Sequence, residues 1–563
     1  MEERITQRSE HRRTPLGWAA LACAAALFLT ACFVLWSDEP FDASKAGRVA
    51  GDQFGYSVRA FDAHGYLALR GASSTLHFSR PALGLPLGLP PERNSAHRAP
   101  HFTPYLHHPL PAYGMAWLSH RWFGGNEAAL RWPFAAAALL ACFALWRLVR
   151  LVAAARTAAL AVLLFALQPG LVQYANMVDT LPLALCSMLW CVHAWISNTA
   201  SAPRVDTQAL PPAAPYWRYV VPAFLCGMVS WYGYPLVLAL WADIALAGPT
   251  LKRRWRRAFF AGLPFGMALL VHISWLTWAL GGTGPMLEQA QWLLGTIAGA
   301  DMGESHPSGL DTPAVVGLAR SWVECGTWPL VLLALTGIGC ALVARRKHAA
   351  RLATRATVIL LLAGLMPGLV FWSRACVHEF FAVLLAPAIA FLAAQALCCV
   401  SAAWTQRGAD SGNHNGTNAQ ALRWPVLAAA LLLAAFMARE GVLLHDSFRA
   451  DGARQEAAAL DATFGPRDVL LVAAGDSPSG LRYYSHCVLL PGLGAPAVFD
   501  WMIAQLRPAA ADFDNLWLVA SDQALLAIPF VKDLPLLRAS AIYIPAMPRT
   551  LVAVKLDRTK LGL

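Results

Sequence analysis

Long apolar runs separated by shorter polar stretches are the dominant pattern in this chain, and they predict membrane-spanning helices. A spanning helix needs roughly 20 apolar residues, and the runs near this length predict about eleven spans. Two of these spans depend on residues 218–249 holding two short helices. The runs occupy residues 15–36, 128–149, 157–177, 180–197, 218–230 with 232–249, 258–280, 320–344, 356–372, 380–401 and 424–444.

The composition agrees with this pattern and narrows the class of protein. Of the 563 residues, 57% are hydrophobic and only 14% are charged, whereas soluble domains carry about 25% charged residues. A soluble multidomain protein is therefore excluded. The apolar content is also too high for a disordered or fibrous chain. The sequence indicates a polytopic α-helical membrane protein.

The basic residues predict its orientation, because cytoplasmic loops are enriched in Lys and Arg. If the N-terminus is cytoplasmic and the spans alternate, every dense basic cluster falls on the cytoplasmic side. The net charge of +11 is then a topology signal, and no nucleic-acid partner is expected. The clusters are Arg147, Arg150 and Arg156; Arg204; Lys252, Arg253, Arg254, Arg256 and Arg257; Arg345, Arg346, Lys347, Arg351 and Arg355; and Arg407.

The same alternation divides the chain into four parts. Residues 1–36 form the cytoplasmic N-terminus and first span, and 37–127 form an outer loop whose segment 108–124 is an interfacial helix. Residues 128–444 hold the remaining spans, and 445–563 form a small α/β domain on the outer side. In that tail, 468–475 and 516–520 have the pattern of buried strands, with a helix at 496–507 between them.

Polar residues with chemical potential collect in the outer segments of this scheme. Five stretches carry them, in chain order: Gly51–Phe61 (GDQFGYSVRAF), Tyr105–Pro111 (YLHHPLP), Gly125–Pro133 (GNEAALRWP), Gln173–Thr180 (QYANMVDT) and Ser373–Phe381 (SRACVHEFF). No GxGxxG or GxxxxGK motif accompanies them, so no nucleotide-binding fold is expected.

This set of stretches resembles the GT-C fold glycosyltransferases of the dolichyl-phosphate-mannose protein mannosyltransferase and aminoarabinose transferase type. The order and spacing match over about residues 15–200, with weaker agreement through His378-Glu379 and the spans beyond. Three positions depart from the family pattern. Gln53 stands where the family has Glu, His108-Pro109-Leu110 has one Pro where two are common, and Asn176 lies near the place of a family Arg.

The resemblance implies transfer of a sugar from a polyprenyl-phosphate donor to an acceptor hydroxyl, with inversion at the anomeric carbon. Such a reaction needs a base for the acceptor proton and a positive site for the departing phosphate. By resemblance, Asp52 is the catalytic base, and His107, His108 or Arg374 holds the phosphate. The substrate-binding residues are then His107, His108, Asp179, Arg374, His378, Glu379 and Tyr56. The acceptor is a glycan, a lipid or a protein.

Simpler interpretations of the same residues remain open. Asp52 also fits a solvated loop carboxylate, and Asp179 fits an N-cap for the helix that follows it. His107 and His108 also fit polar loop residues, and His378-Glu379 fits an interfacial anchor. A divalent metal is compatible with the resemblance, with Asp179 and His107 as candidate ligands, but no ligand set demands one.

The resemblance places the protein in the cell inner membrane, with its active site facing the periplasm. The alternative is a multi-pass transporter or lipid flippase for a glycolipid. Transporters carry charged residues at mid-membrane, whereas the middles of these runs are nearly free of charge, with Glu324 as the main exception. A third class, a scaffold whose tail binds a partner, predicts loss of function when 445–563 is deleted.

Overall fold

The fold is described from a computed structural model of the chain. The described residues are 15–36, 54–67, 70–71, 110–200, 217–247, 250–280, 282–284, 286–287, 312–344, 348–370, 380–410, 423–448, 452–465, 467–473, 481, 485, 487–493, 496–507, 510–511, 513–521, 530–546 and 549–563.

A bundle of mostly apolar helices forms the larger part of the molecule. Its helices are α1 (Pro15–Trp36), α2 (Tyr56–His64), α3 (Leu110–Phe123), α4 (Glu127–Val152), α5 (Ala155–Ala166), α6 (Pro169–Asn176), α7 (Leu181–Ala200), α8 (Trp217–Val229), α9 (Pro235–Ala247), α10 (Leu251–Leu280), α11 (Thr312–Gly326), α12 (Trp328–Ala344), α13 (His348–Val370), α14 (Phe380–Val383), α15 (Ala386–Asp410) and α16 (Arg423–Phe448).

Each predicted apolar run falls on one or two of these helices. Five helices within the described residues are long and apolar enough to cross a membrane, or up to seven if each of two bent pairs counts as one span. Three shorter apolar helices, Trp18–Phe33, Trp217–Val229 and Trp231–Leu246, accompany them. The protein is therefore a multi-pass membrane protein. The count of about eleven spans and the cytoplasmic N-terminus stay predictions.

The apolar run at 157–177 is a bent pair of helices rather than one straight helix. Helices α5 and α6 meet at an angle of 56°. Pro169 occupies the first turn of α6 and lacks the N–H that would continue α5, and a residue before proline avoids the helical region. The side-chain amide of Gln168 donates a hydrogen bond to the carbonyl of Ala386, 3.0 Å away, which holds the bend against α15.

The run at 320–344 is also interrupted, and it forms a bent pair of helices rather than one straight helix. Helices α11 and α12 differ in direction by 102°. Thr327, between them, has a positive φ of 65°, and Pro329 cannot donate the next helical hydrogen bond. Glu324 consequently lies on α11, exposed and paired with Arg320 at 2.6 Å, rather than in the middle of a straight span.

A buried ion pair joins three helices at one end of the bundle, which we call the basic end. Asp243 of α9 accepts hydrogen bonds from Arg355 of α13 at 2.8 and 2.7 Å, and from the indole of Trp195 of α7 at 3.0 Å. The carboxylate is only 5% exposed. The basic first turn of α10 follows α9 directly at this end. The sequence predicts a loop position for Arg355. The structure instead places it on α13, where it forms an ion pair with Asp243 of α9.

Close packing of α12 against α15 depends on a glycine, which gives a first prediction. A Cβ at Gly337 would overlap the backbone carbonyl of Leu392, whereas a Cβ at Gly339 would meet no atom within 4 Å. Gly337→Ala should lower stability by about 1–3 kcal/mol through overpacking, seen as a lower thermal unfolding midpoint in detergent. Gly339→Ala, the matched control on the same helix, should not lower the midpoint. Equal midpoints for the two variants would contradict this packing.

The C-terminal part of the chain is an α/β unit, as predicted. Five strands form one sheet in the order β2-β1-β3-β5-β4, with β1 parallel to β2 and β3 and the β3-β5 and β5-β4 pairs antiparallel. The elements are α17 (Gly452–Thr463), β1 (Asp468–Ala473), β2 (Val488–Leu493), α18 (Pro496–Leu506), β3 (Asn515–Ser521), β4 (Leu536–Ala546) and β5 (Arg549–Leu556). The predicted strands correspond to β1 and β3, and the predicted helix to α18. Strands β2, β4 and β5 were not predicted.

Candidate functional site

The end of the bundle opposite the basic end gathers several of the polar stretches, and we call it the site end. It is defined by the junction between α6 and α7, at residues Met177–Thr180, and by the start of α4. One buried apolar cluster unites these elements with α2, because Phe54, Val58 and Phe61 pack with Val178 and Leu183. The segment that follows Asp52 therefore lies next to the segment that holds Asp179.

Asp179 is buried and caps α7, as the simpler interpretation predicted. Its Oδ1 accepts hydrogen bonds from the backbone N–H of Leu181 at 2.9 Å and from the hydroxyl of Thr180 at 3.3 Å. Only 6% of the residue is exposed. Val178, immediately before it, has a positive φ of 53°. This is a strained conformation for a β-branched residue, and strain of this kind concentrates at functional sites. The backbone thus orients Asp179 at some energetic cost.

A buried arginine lies beside this junction and was not among the predicted site residues. Arg131 of α4 is 4% exposed, and its Nε donates to the backbone carbonyl of Asn176 at 3.0 Å. Asn176 in turn donates from Nδ2 to the carbonyl of Val172 at 2.6 Å and to the Sγ of Cys32 at 3.3 Å. A cation and a carboxylate are therefore buried at the two sides of the Asn176–Asp179 turn.

Tyr56, a predicted substrate-binding residue, begins α2 and is 7% exposed. Ser57 beside it is fully buried, and Phe54 stacks on Tyr113 of α3 with ring centres 4.4 Å apart. Helix α2 is therefore packed firmly against α3. Tyr56 lies in the buried layer of the site end, close to the cluster that contains Val178.

Helix α3 forms the outer rim of this end and corresponds to the predicted interfacial helix at 108–124. Trp122 and Phe123 at its end are 71% and 66% exposed. Its position on a membrane surface stays a prediction. Trp117 donates to Asp62 at 2.9 Å and stacks on Tyr66 with ring centres 5.1 Å apart. Burial raises the pKa of Tyr66 to about 12, so its hydroxyl stays protonated.

The α/β unit contacts the site end through two arginines. Arg454 of α17 pairs with Glu127, the first residue of α4, at 2.5 Å. Arg59 of α2 donates from Nη1 to the carbonyl of Ser485 at 3.0 Å. Both contacts involve helices beside the Asn176–Asp179 turn, so the C-terminal unit supports this end of the bundle.

The structure brings together two of the predicted site residues, Tyr56 and Asp179, at one end of the bundle. Six others lie outside the described residues: Asp52, His107, His108, Arg374, His378 and Glu379. Their roles stay predictions.

Of the two predicted metal ligands, Asp179 lies within the described residues and His107 lies outside them. No group of three or more His, Cys, Asp or Glu side chains that fits a metal ion lies within the described part of the chain. Asp179 has its Oδ1 engaged by the α7 cap. A metal at Asp179 and His107 therefore stays a prediction, and no step below depends on one.

Comparison with solved structures identifies the fold. ArnT from Cupriavidus metallidurans matches with a TM-score of 0.57 in the apo state and 0.58 bound to undecaprenyl phosphate, at 14% and 15% identity, over 96% of this chain and 98% of ArnT. The archaeal oligosaccharyltransferase AglB from Archaeoglobus fulgidus, in complex with an inhibitory peptide and a dolichol-phosphate, matches with a TM-score of 0.56 and 12% identity, over 90% of this chain and 69% of AglB.

The chain has the GT-C fold. No model of a protein family matches it, and neither does any curated protein sequence. The GT-C likeness covers both the helical bundle and the C-terminal unit, so the resemblance seen in the five polar stretches extends over the whole architecture. At identities of 12% to 15%, it establishes the fold of the chain.

Proposed function

We propose that this protein is a membrane glycosyltransferase that moves a sugar from a polyprenyl-phosphate donor to an acceptor hydroxyl at the periplasmic face of the inner membrane. The observation that carries the proposal is a GT-C fold over nearly the whole chain, with buried Arg131 and Asp179 at one end of the bundle. ArnT with bound undecaprenyl phosphate and AglB with dolichol-phosphate support a lipid-linked donor.

In the proposed reaction, Asp52 accepts the proton of the acceptor hydroxyl while that oxygen attacks the anomeric carbon. The bond between the anomeric carbon and the phosphate oxygen breaks, its electron pair leaves with the polyprenyl phosphate, and the configuration inverts. Asp52 precedes Phe54, a member of the cluster that contains Val178, by only two residues in the sequence. The base is thus expected close to Asp179.

The departing phosphate needs positive charge, and Arg374, His107 and His108 are the proposed partners. The forked donors of an arginine suit phosphate oxygens especially well. We further propose that His378, Glu379 and Tyr56 bind substrate beside them. Phe381, two residues after Glu379, packs edge-to-face on Tyr232 with ring centres 5.3 Å apart, which anchors the end of that segment to the bundle.

Substitutions of Asp179 can separate its proposed role in sugar transfer from its capping of α7. Asp179→Asn keeps a good N-cap but removes the charge, so the unfolding midpoint should be unchanged while transfer falls at least about tenfold. Asp179→Ala also removes the cap and should cost about 1 kcal/mol of stability in addition. Transfer and thermal unfolding of the purified variants test this. Full activity in Asp179→Asn would reduce Asp179 to a structural cap.

The function itself is tested by mass spectrometry of envelope glycolipids and glycoproteins from a strain lacking the gene. A glycosyltransferase predicts that one sugar is missing from one class of acceptor and returns on complementation. Purified protein should then transfer that sugar from its extracted lipid-linked form to the bare acceptor. If the sugar is missing in the strain but the purified protein transfers nothing, the glycolipid transporter or flippase is the better account.

A further inference from the structure

A short turn interrupts the two helices α8 and α9 and carries a group of aromatic residues. Ser230 begins the turn, and its Oγ accepts from the N–H of Tyr232 at 3.2 Å. A 3-10 helix follows at Trp231–Gly233. A Cβ at Gly233 would overlap the carbonyl of Cys226, so only glycine allows this close return of the chain. Val229, just before the turn, belongs to the same buried cluster as Val178. The turn therefore borders the site end.

Three buried polar atoms in this group of rings have no hydrogen-bond partner among the described residues. They are Nε1 of Trp231, the hydroxyl oxygen of Tyr234 and Nδ1 of His272, all buried. The ring centre of Trp231 is 5.2 Å from that of His272 and 5.7 Å from that of Tyr234. His272 is only 1% exposed. Buried polar groups nearly always have hydrogen-bond partners in folded proteins. Three unpaired polar groups in one place therefore indicate a bound ligand.

The hydrogen-bonding capacity of this group follows from its surroundings. Nε2 of His272 lies 3.1 Å from the carbonyl oxygen of Gly227. The ring also makes a backbone hydrogen bond to Met228. Since a carbonyl only accepts, the Gly227 contact assigns the hydrogen to Nε2, and in that tautomer of the neutral imidazole Nδ1 is an acceptor. The Trp231 indole is a donor, and the Tyr234 hydroxyl both donates and accepts. The three atoms thus offer donors and an acceptor together, with no formal charge.

This combination fits a hydroxyl group and opposes a phosphate. A hydroxyl both donates and accepts, so it satisfies His272 and Trp231 at once. An ionised phosphate oxygen only accepts, and the lone pair of Nδ1 would repel it. The stacked rings of Trp231 and Tyr234, with centres 5.7 Å apart, add apolar side-chain area beside these atoms. The chemistry is therefore that of a carbohydrate rather than of the carrier phosphate.

We infer that Trp231, Tyr234 and His272 form a subsite that binds ring hydroxyls of the donor sugar while it is attached to its lipid. The inference rests on the proposed function for the identity of the donor as a lipid-linked sugar. It adds that the sugar is recognised by a neutral aromatic group at the α8–α9 turn, apart from the charged residues assigned to the phosphate.

Native mass spectrometry of the full-length protein in detergent tests this subsite. The probes are undecaprenyl phosphate alone and undecaprenyl phosphate carrying a hexose, an N-acetylhexosamine or a pentose, in equimolar competition. The wild type should prefer at least one sugar-bearing lipid over the bare lipid. Tyr234→Phe and His272→Gln, which keeps a donor toward Gly227, should each reduce that preference about three- to tenfold, the loss of one neutral hydrogen bond. Binding of the bare lipid should not change.

Tyr219→Phe is the matched control, because the Tyr219 hydroxyl on the same helix α8 donates to the carbonyl of Ala261. It should keep the wild-type preference. The inference is overturned if the wild type prefers no sugar-bearing lipid, if both variants keep the preference, or if they weaken the bare lipid equally. Because binding is measured without transfer, loss of preference in a chain that transfers nothing would sustain the subsite and reject the transferase proposal.

Discussion

Replacing Asp52 with Asn is expected to reduce sugar transfer by about 10²- to 10⁴-fold, the usual contribution of a general base. Asn has nearly the shape of Asp but cannot take the proton of the acceptor hydroxyl. Expression, membrane insertion and the affinity for the lipid-linked donor should persist, because the proton is taken only during the chemical step. The measurement is the rate of transfer by purified protein at saturating donor.

Asp62→Asn provides the matched control for this result. Asp62 also belongs to the outer segment, on α2, but it is engaged elsewhere: its two oxygens lie 2.9 Å from Nε1 of Trp117 and 2.8 Å from Nδ1 of His120. Asn keeps an acceptor toward Trp117, so transfer should stay near the wild-type rate. Near-normal transfer by Asp52→Asn would remove Asp52 from the mechanism. Equal losses in both variants would point to a structural role for the whole segment.

Arg355→Ala is expected to be the most destabilising single change in the bundle, costing about 3–5 kcal/mol. The substitution leaves the carboxylate of Asp243, 5% exposed, without its bidentate partner. A double variant, Asp243→Asn with Arg355→Met, should recover most of the loss, because it removes the charge and still gives Trp195 an acceptor. Thermal unfolding in detergent and yield from the membrane report the difference.

The surface pair of Arg320 and Glu324 supplies the comparison. Their contact of 2.6 Å is slightly shorter than the two made by Arg355, at 2.8 and 2.7 Å, but the two side chains are 79% and 45% exposed. Exposed ion pairs contribute little to stability, so Arg320→Ala should leave the unfolding midpoint unchanged. If Arg320→Ala and Arg355→Ala lowered the midpoint equally, burial would not explain the importance of the Asp243 pair.

The sequence predicted those structural features that depend on residues close together in the chain. Apolar runs located the helices. The Asp179-Thr180-Leu181-Pro182 start predicted that Asp179 caps the following helix, which its bond from the N–H of Leu181 bears out. The break between α11 and α12 was harder to predict, because Thr327 and Pro329 lie inside an otherwise continuous apolar run. Hydropathy has no term for a positive φ, so the 102° turn was invisible to it.

Contacts between distant parts of the chain could not be derived from composition or spacing. Arg355 follows a basic cluster and therefore resembled one more loop cation, while its partner Asp243 comes from another helix. Arg131 lies within the polar stretch Gly125–Pro133, but only the fold buries it against Asn176. In the sheet, Pro491 and Pro545 interrupt the patterns of β2 and β4, and these are the two edge strands, where proline is tolerated.

The two arginine contacts of the C-terminal unit affect how the activity of a truncated chain is interpreted. A protein ending near residue 445 would lose the partner of Glu127 and the carbonyl that Arg59 engages, both on helices beside the reaction centre proposed above. Inactivity after such a truncation would therefore not distinguish a scaffold from an enzyme. Substituting Arg454 alone would loosen the attachment while leaving the sheet in place.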